Sequence, residues 1–479
     1  MTDSQQTPDP ATSGSSDSAE QTVRTAVDRG MPSAVADLSQ LVRIPSVSWS
    51  AFDPANVRRS AEAVAALLSD TGMFDSVEIK QAPTADGETL GQPAVLATRA
   101  ARNGRPTVLL YAHHDVQPEG DEALWETPPF EPTVRGDRLY ARGAADDKAG
   151  VLAHVASVRA LRDTFGDDLE LGLAVFIEGE EEFGSRSFAH FLEQNKEALA
   201  ADVIVVADSD NVDVNTPALT VSLRGNVTFK LTVSTLEHAS HSGMYGGAAP
   251  DAMLAMVKLL ATLHDEKGSV AVEGLSSYTD AAEPPAFSEE ELAKDAAFLD
   301  GVTSIGTGPI LSRMWSQPTI TITGIDAPTV ANASNTLLPS VAVRVSSRVA
   351  PGQPAREAYE ALERHLRAHA PFGAHVTIED VDLGDPFLVD TAGWAATEAK
   401  RAMTDAWGKE AVETGIGGSI PFIADLVREF PEAQILVTGV EDPDTRAHSP
   451  NESLHLGVFK RAILTEALLL ARLNAREAS

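Results

Sequence analysis

Apolar residues recur at helical spacing in TAVDRGMPSAVADLSQLVRI (25–44) and NVRRSAEAVAALLSDTGM (56–73), which predicts two helices ahead of the first strands. The period then changes. PTVLLYAHHD (106–115), ELGLAVFIEGEEE (170–182), DVIVVADSD (202–210) and AQILVTG (433–439) are apolar runs ending in polar residues, the pattern of buried strands with chemistry at their C-terminal ends. Between the first two, KAGVLAHVASVRALRDTF (148–165) keeps Val, Leu and Ala on one helical stripe, giving a strand–helix–strand unit. An α/β fold with a mixed sheet and helices on both faces follows, and ligands of such sheets bind beyond the carboxyl ends of the strands.

From about 217 the texture alternates apolar and polar in ALTVSL, NVTFKLTV, TITITG and VAVRVSSRV, with a helix in REAYEALERHLRAH (356–369). This reads as an inserted α+β domain over 217–386. WAATEAKRAMTDAW (394–407) and AQILVTG then return to the first texture, so 21–216 and 387–479 form one discontinuous catalytic domain. Residues 1–20 are Ser, Thr, Asp, Gln and Pro with little to bury, and are expected to be a disordered tail.

Composition narrows the chemistry. The 479 residues exceed a single small fold, and 70 acidic against 37 basic side chains give a net charge of −33, which disfavours nucleic acid and anionic membranes as partners. With no Cys, disulfides, thiolate zinc sites and a cysteine nucleophile are excluded, so any metal must sit on nitrogen and oxygen. No apolar run is long enough to span a bilayer and the N-terminus lacks a basic, apolar leader, so a cytoplasmic protein is expected.

The strand ends supply the donors. Strand periodicity places His113 and Asp115 on one face, an arrangement by which a carboxylate orients a metal-binding imidazole. Asp146 and Asp147 start the 148–165 helix; Glu180, Glu181 and Glu182 follow one strand, Asp208 and Asp210 another; His448 lies in a loop after AQILVTG. Singly, each fits a structural role, Asp146 as a helix N-cap among them. Together they are two imidazoles and several carboxylates at the ends of one sheet, a ligand set suited to two divalent ions sharing a bridging carboxylate.

The ordered motifs YAHHDVQP, LYARGAADDKAG, EGEEEFGS, SLRG, HASHSGMYGG, NTLLP, GGSIP and AHSPNE resemble those of the M20 metallopeptidase family, in its branch of carnosinase-like and cytosolic nonspecific dipeptidases, from about residue 30 to 475. The resemblance implies His113, Asp146 and Asp208 on one ion, and Asp146, Glu182 and His448 on the other, with Asp146 bridging. It also implies a cis peptide between Asp146 and Asp147, Asp115 as the residue orienting His113, and Glu181 as the general base that takes a proton from the attacking water. Zinc is expected ahead of Mn²⁺ or Co²⁺. His241 resembles a lid histidine that stabilises the oxyanion, often from a neighbouring subunit, which implies a homodimer through the inserted domain. Arg348 resembles a carboxylate-binding arginine, with Thr336 and Ser419 as companions.

The implied activity is hydrolysis of dipeptides bearing a free C-terminal carboxylate. An N-acyl-amino-acid amidohydrolase or a glutamate-releasing carboxypeptidase would use the same ions and base, and a one-ion site is open on the same motifs. One departure bears on the substrate: Gly415 and Ile416 stand where that branch commonly carries Arg-Glu before GGSIP.

Overall fold

The computed structural model describes residues 10–278, 286–389, 391–417 and 421–476. The chain forms two compact units, one of residues 1–221, 389–414 and 425–479, the other of residues 222–388 and 415–424.

In the first unit a sheet runs in the order Ser76–Lys80, Ala94–Arg99, Gly172–Glu178, Thr107–His113, Val203–Val206, Gln434–Val437, Ala218–Leu223. Its four central strands are mutually parallel. Parallel strands are covered on both faces, which is why these sequences read as continuous rather than alternating apolar runs. Every residue of Gly172–Glu178 and Val203–Val206 is buried. Leu110, Val175 and Val205 pack into one core with the helices Pro10–Val42, Lys148–Phe165, Trp394–Trp407 and Leu456–Ala475. On the other face Phe176 packs between Tyr111 and the rings of Phe188 and Phe191 of the helix Phe188–Leu199. Helices thus cover both faces, as the sequence pattern predicts.

Two readings need adjustment. The segment expected to be a tail is helical from Pro10, and Glu20 is anchored to Arg472 of the helix Leu456–Ala475 at 2.9 Å. ALTVSL, grouped above with the alternating strands, joins the large sheet through the pair Val437–Thr220, and five of its six residues are buried.

The second unit holds an antiparallel sheet ordered Thr319–Asp326, Ser340–Val349, Gly225–Ser234, His375–Gly384. Strict alternation in Gly225–Ser234 puts Val227, Phe229, Leu231 and Val233 into a core with the helices Ala252–Ala261 and Ala355–Ala368. Asn226, Thr228, Lys230 and Thr232 line the opposite, polar face, since side chains alternate along a strand.

Candidate metal centre

Five segments of the first unit converge at the carboxyl ends of its parallel strands. His113 ends the strand Thr107–His113, and its Nδ1 lies 3.1 Å from the Asp115 carbonyl and 3.3 Å from Asp115 Oδ1. That fixes the ring and turns Nε2 toward Asp146 Oδ1 at 3.2 Å and Asp208 Oδ1 at 3.9 Å. Asp115 also accepts the Ser48 hydroxyl at 2.7 Å and is fully buried.

The peptide between Asp146 and Asp147 is cis. The helix N-cap weighed above for Asp146 falls on Asp147, whose Oδ1 accepts the Gly150 N–H while Oδ2 accepts the His113 N–H, both at 3.1 Å. Asp146 is left free to face the site with both oxygens. Oδ1 looks at His113, and Oδ2 lies 2.9 Å from His448 Nε2.

Glu181 and Glu182 sit in a short 3₁₀ turn beyond the strand Gly172–Glu178, and Glu182 Oε2 is 3.2 Å from His448 Nε2. Glu180 points away, accepting the N–H groups of Ser187 at 2.7 Å and Gln92 at 3.1 Å, so it anchors the loop. Asp208 follows the strand Val203–Val206 into the cluster. His448 has φ +61°, a conformation that costs a non-glycine residue free energy and is concentrated at functional sites.

Among the described residues, two sets of three bring donor atoms within 4.8 Å of one another: His113, Asp147 and Asp208, and His113, Asp146 and Glu182. Asp147 belongs to the first set by proximity, but both of its oxygens are engaged by backbone N–H groups.

The electrostatics of the cluster fit divalent cations. Burial, reinforced by the Asp146 carboxylate, pushes Glu182 up to about 7, and burial pushes Asp208 up to about 6. Burial also opposes the charge on Asp146, but hydrogen bonds from His113 and His448 outweigh it and hold Asp146 well below the usual carboxylate range. Hydrogen bonds to Asp146 and Glu182 raise His448 to about 11. Burial thus works against the charge on these carboxylates, and two divalent ions on these nitrogens and oxygens would favour their ionised forms.

Several contributors escaped the sequence reading. Gln117 donates to Glu182 twice, from its backbone N–H at 3.1 Å and from Nε2 at 2.7 Å. Glu452 and Arg142 form a buried ion pair at 2.7 Å beside Asp146. All three lie inside or beside the quoted motifs, which was the available signal.

In the second unit His241 pairs directly with Thr336 across two short antiparallel strands. His241 Nδ1 accepts the Gly243 N–H at 3.0 Å, so Nε2 carries the proton when the ring is neutral. Arg348 is half-buried on the polar side of the four-stranded sheet, in register with Asn226. Ser419 lies outside the described residues. The Gly415 departure fits its surroundings: a Cβ there would come within 2.8 Å of Trp315 Cβ and 2.7 Å of Ser222 Oγ, so a side chain would require those neighbours to shift.

A metal-ready cluster of imidazole and carboxylate at the strand ends of an α/β sheet defines a metallohydrolase. Residues 109–472 match the family described as Peptidase family M20/M25/M40, and the chain belongs to that family. It is 34% identical over 415 residues to the cysteinylglycine-S-conjugate dipeptidase of Corynebacterium striatum, covering 86% of this chain and 89% of that protein. It is 28% identical over 399 residues to the β-Ala-His dipeptidase of Homo sapiens, covering 79% and 77%. Its fold is similar to that of the di-peptidase Dug1p of Saccharomyces cerevisiae, with a TM-score of 0.76 at 23% identity over 95% of this chain and 99% of that one. It is also similar to human carnosine dipeptidase 1, with a TM-score of 0.75 at 24% identity over the same shares.

Proposed function

We propose that this protein is a two-metal dipeptidase that cleaves the peptide bond of dipeptides with a free C-terminal carboxylate. The observation that carries the reading is Asp146, whose two oxygens face two different imidazoles, His113 and His448. The ligands would be His113, Asp146 and Asp208 for one ion, and Asp146, Glu182 and His448 for the other, with zinc ahead of Mn²⁺ or Co²⁺. Two divalent ions held there would supply Lewis-acid activation of a water and of the scissile carbonyl.

Glu181 is the base. Burial raises its pKa well above the usual carboxylate value, which suits a group that takes the water's proton and hands it to the departing amine. Asp115 keeps the His113 ring aligned. His241 would donate from Nε2 to the oxyanion, contributed by a second copy of the chain in a homodimer assembled through the 222–388 unit. Arg348, with Thr336 and Ser419, would hold the substrate carboxylate.

The dipeptidase names of the relatives favour dipeptides over N-acyl amino acids and over glutamate-releasing carboxypeptidase substrates. Among the described residues no helix is long and apolar enough to cross a membrane, and a cytoplasmic location is part of this proposal. Assay of the metal-loaded protein against Cys-Gly and β-Ala-His, their C-terminal amides, and matched N-acyl amino acids tests it. Turnover of the free dipeptides with loss on amidation is expected; preference for N-acyl amino acids overturns the substrate assignment.

A further inference from the structure

One buried carboxylate joins the segments that carry Asp146, Glu182 and His448. Glu452 lies four residues beyond His448 and is fully buried. Its Oε1 accepts the N–H groups of Ala145 at 3.0 Å and Asp146 at 3.2 Å. Its Oε2 accepts the Gly143 N–H at 3.0 Å and Arg142 Nη1 at 2.7 Å. Arg142, equally buried, extends Nη2 to the Pro118 carbonyl at 3.4 Å, and the residue before Pro118 is Gln117, which donates to both Glu182 oxygens.

Backbone pairing reinforces the junction. Ala141 N–H donates to the Glu452 carbonyl at 3.1 Å, and Ser453–His455 pairs with Arg138–Tyr140. The turn from Gly143 to Asp146 belongs to no helix or strand, so its N–H groups need an acceptor from elsewhere. Three of the four donors on Glu452 are such backbone groups. A buried ion pair is weak evidence for stability as such, since well-packed apolar residues of similar volume often serve as well. Here the acceptors set where the backbone of one ligand starts relative to the loop of another.

The other ion position shares Asp146, but its remaining ligands, His113 and Asp208, come from segments to which neither Glu452 nor Arg142 is hydrogen-bonded. Asp115 aligns the His113 ring, and Asp147 holds the His113 backbone. Neither contact involves Glu452 or Arg142.

We infer that Glu452 and Arg142 are positioning residues for the Asp146–Glu182–His448 ion site, joining its three ligand segments, and that they act on this site far more than on the His113–Asp208 one. The inference rests on the two-ion ligand assignment proposed above. Partners that orient metal ligands typically change affinity by about 10–100-fold when removed.

The test is titration of chelator-stripped protein with Zn²⁺ by calorimetry, for wild type, Glu452→Gln and Arg142→Lys, with Co²⁺ absorption spectra at each stoichiometry and thermal melts of the metal-free forms. Glu452→Gln replaces one acceptor oxygen by a donor facing N–H groups; Arg142→Lys keeps the charge and loses the fork to Pro118. Wild type should bind two ions. Both variants should keep one step near wild-type affinity and lose about 10–100-fold in the other, with the Co²⁺ spectrum of the first ion unchanged. If Glu452→Gln does not fold, Arg142→Lys decides alone. Unchanged binding of both ions, or equal weakening of both, overturns the inference while leaving the two-ion reading intact. A wild type that binds a single ion overturns that reading and this inference with it.

Discussion

The backbone N–H of Glu181 donates to Oδ1 of Asp115 at 3.2 Å. The same carboxylate accepts the Glu182 N–H through Oδ2 at 3.1 Å and stands 3.3 Å from His113 Nδ1. One buried acid therefore sets the imidazole, the proposed base and a proposed ligand in mutual register. The Glu181 side chain is not needed for that register, because its backbone makes the contact.

Glu181→Gln should accordingly retain its metal while kcat falls about 10²–10⁴-fold, the range for loss of a general base. Metal analysis beside steady-state kinetics checks this. Wild-type-like turnover would remove Glu181 from the mechanism.

Asp146 and Asp208 should separate by stoichiometry. Asp146 faces both imidazoles, whereas Asp208 approaches His113 alone. Asp146→Asn is expected to lose both ions and Asp208→Asn to keep one, measured on protein purified without chelator. Equal metal content in the two variants would contradict the bridging assignment.

A pH dependence of stability is expected from His154, which is fully buried with Nδ1 2.9 Å from Glu466 and Nε2 2.9 Å from the Tyr111 carbonyl. Burial opposes its charge, but Glu466 and the Tyr111 carbonyl outweigh burial and raise its pKa. A raised folded-state pKa means that the folded protein holds the proton more tightly. The contribution is then complete below the unfolded value of about 6.5 and is lost as pH rises through the folded value. The melting-temperature gap between wild type and Glu466→Gln should be wider at about pH 6 than at about pH 9. A gap that does not change with pH would rule the pair out as the source.

Gly439→Ala should be among the most damaging small substitutions. A Cβ at Gly439 would lie 1.6 Å from the Ser209 carbonyl oxygen, and the adjoining backbone is held by the Asp210–Glu441 bridge. Destabilisation of about 3 kcal/mol or more is expected, read from urea unfolding. A midpoint like that of wild type would show that the two strand ends can separate.

Buried strands ending in acid or imidazole stand out against apolar runs and mark the region of His113, Glu182 and Asp208, while the ordered motifs add Asp146 in a turn and His448 in a loop; the five do converge. Their supports were not legible in the sequence. Whether Asp146 or Asp147 caps the helix is decided by backbone geometry that two adjacent identical residues do not encode. The motif resemblance sets Glu180 apart from Glu181 and Glu182, but what Glu180 does instead, accepting the Ser187 and Gln92 N–H groups, shows only in the structure. Glu452 meets Arg142 across more than three hundred residues, beyond any local periodicity. ALTVSL was placed with the wrong sheet because a short, mostly apolar run does not reveal its partners.

The strand Gln434–Val437 lies between Val203–Val206 and Ala218–Leu223, both of which precede it by most of the second unit. On the ribosome, Val203–Val206 must therefore wait with an apolar edge unpaired, the kind of surface that chaperones cover and that aggregates when left open. His448 follows that late strand. A nascent chain can thus hold neither the complete sheet nor the complete donor set, and hydrolysis is deferred until synthesis has passed the segment that closes both.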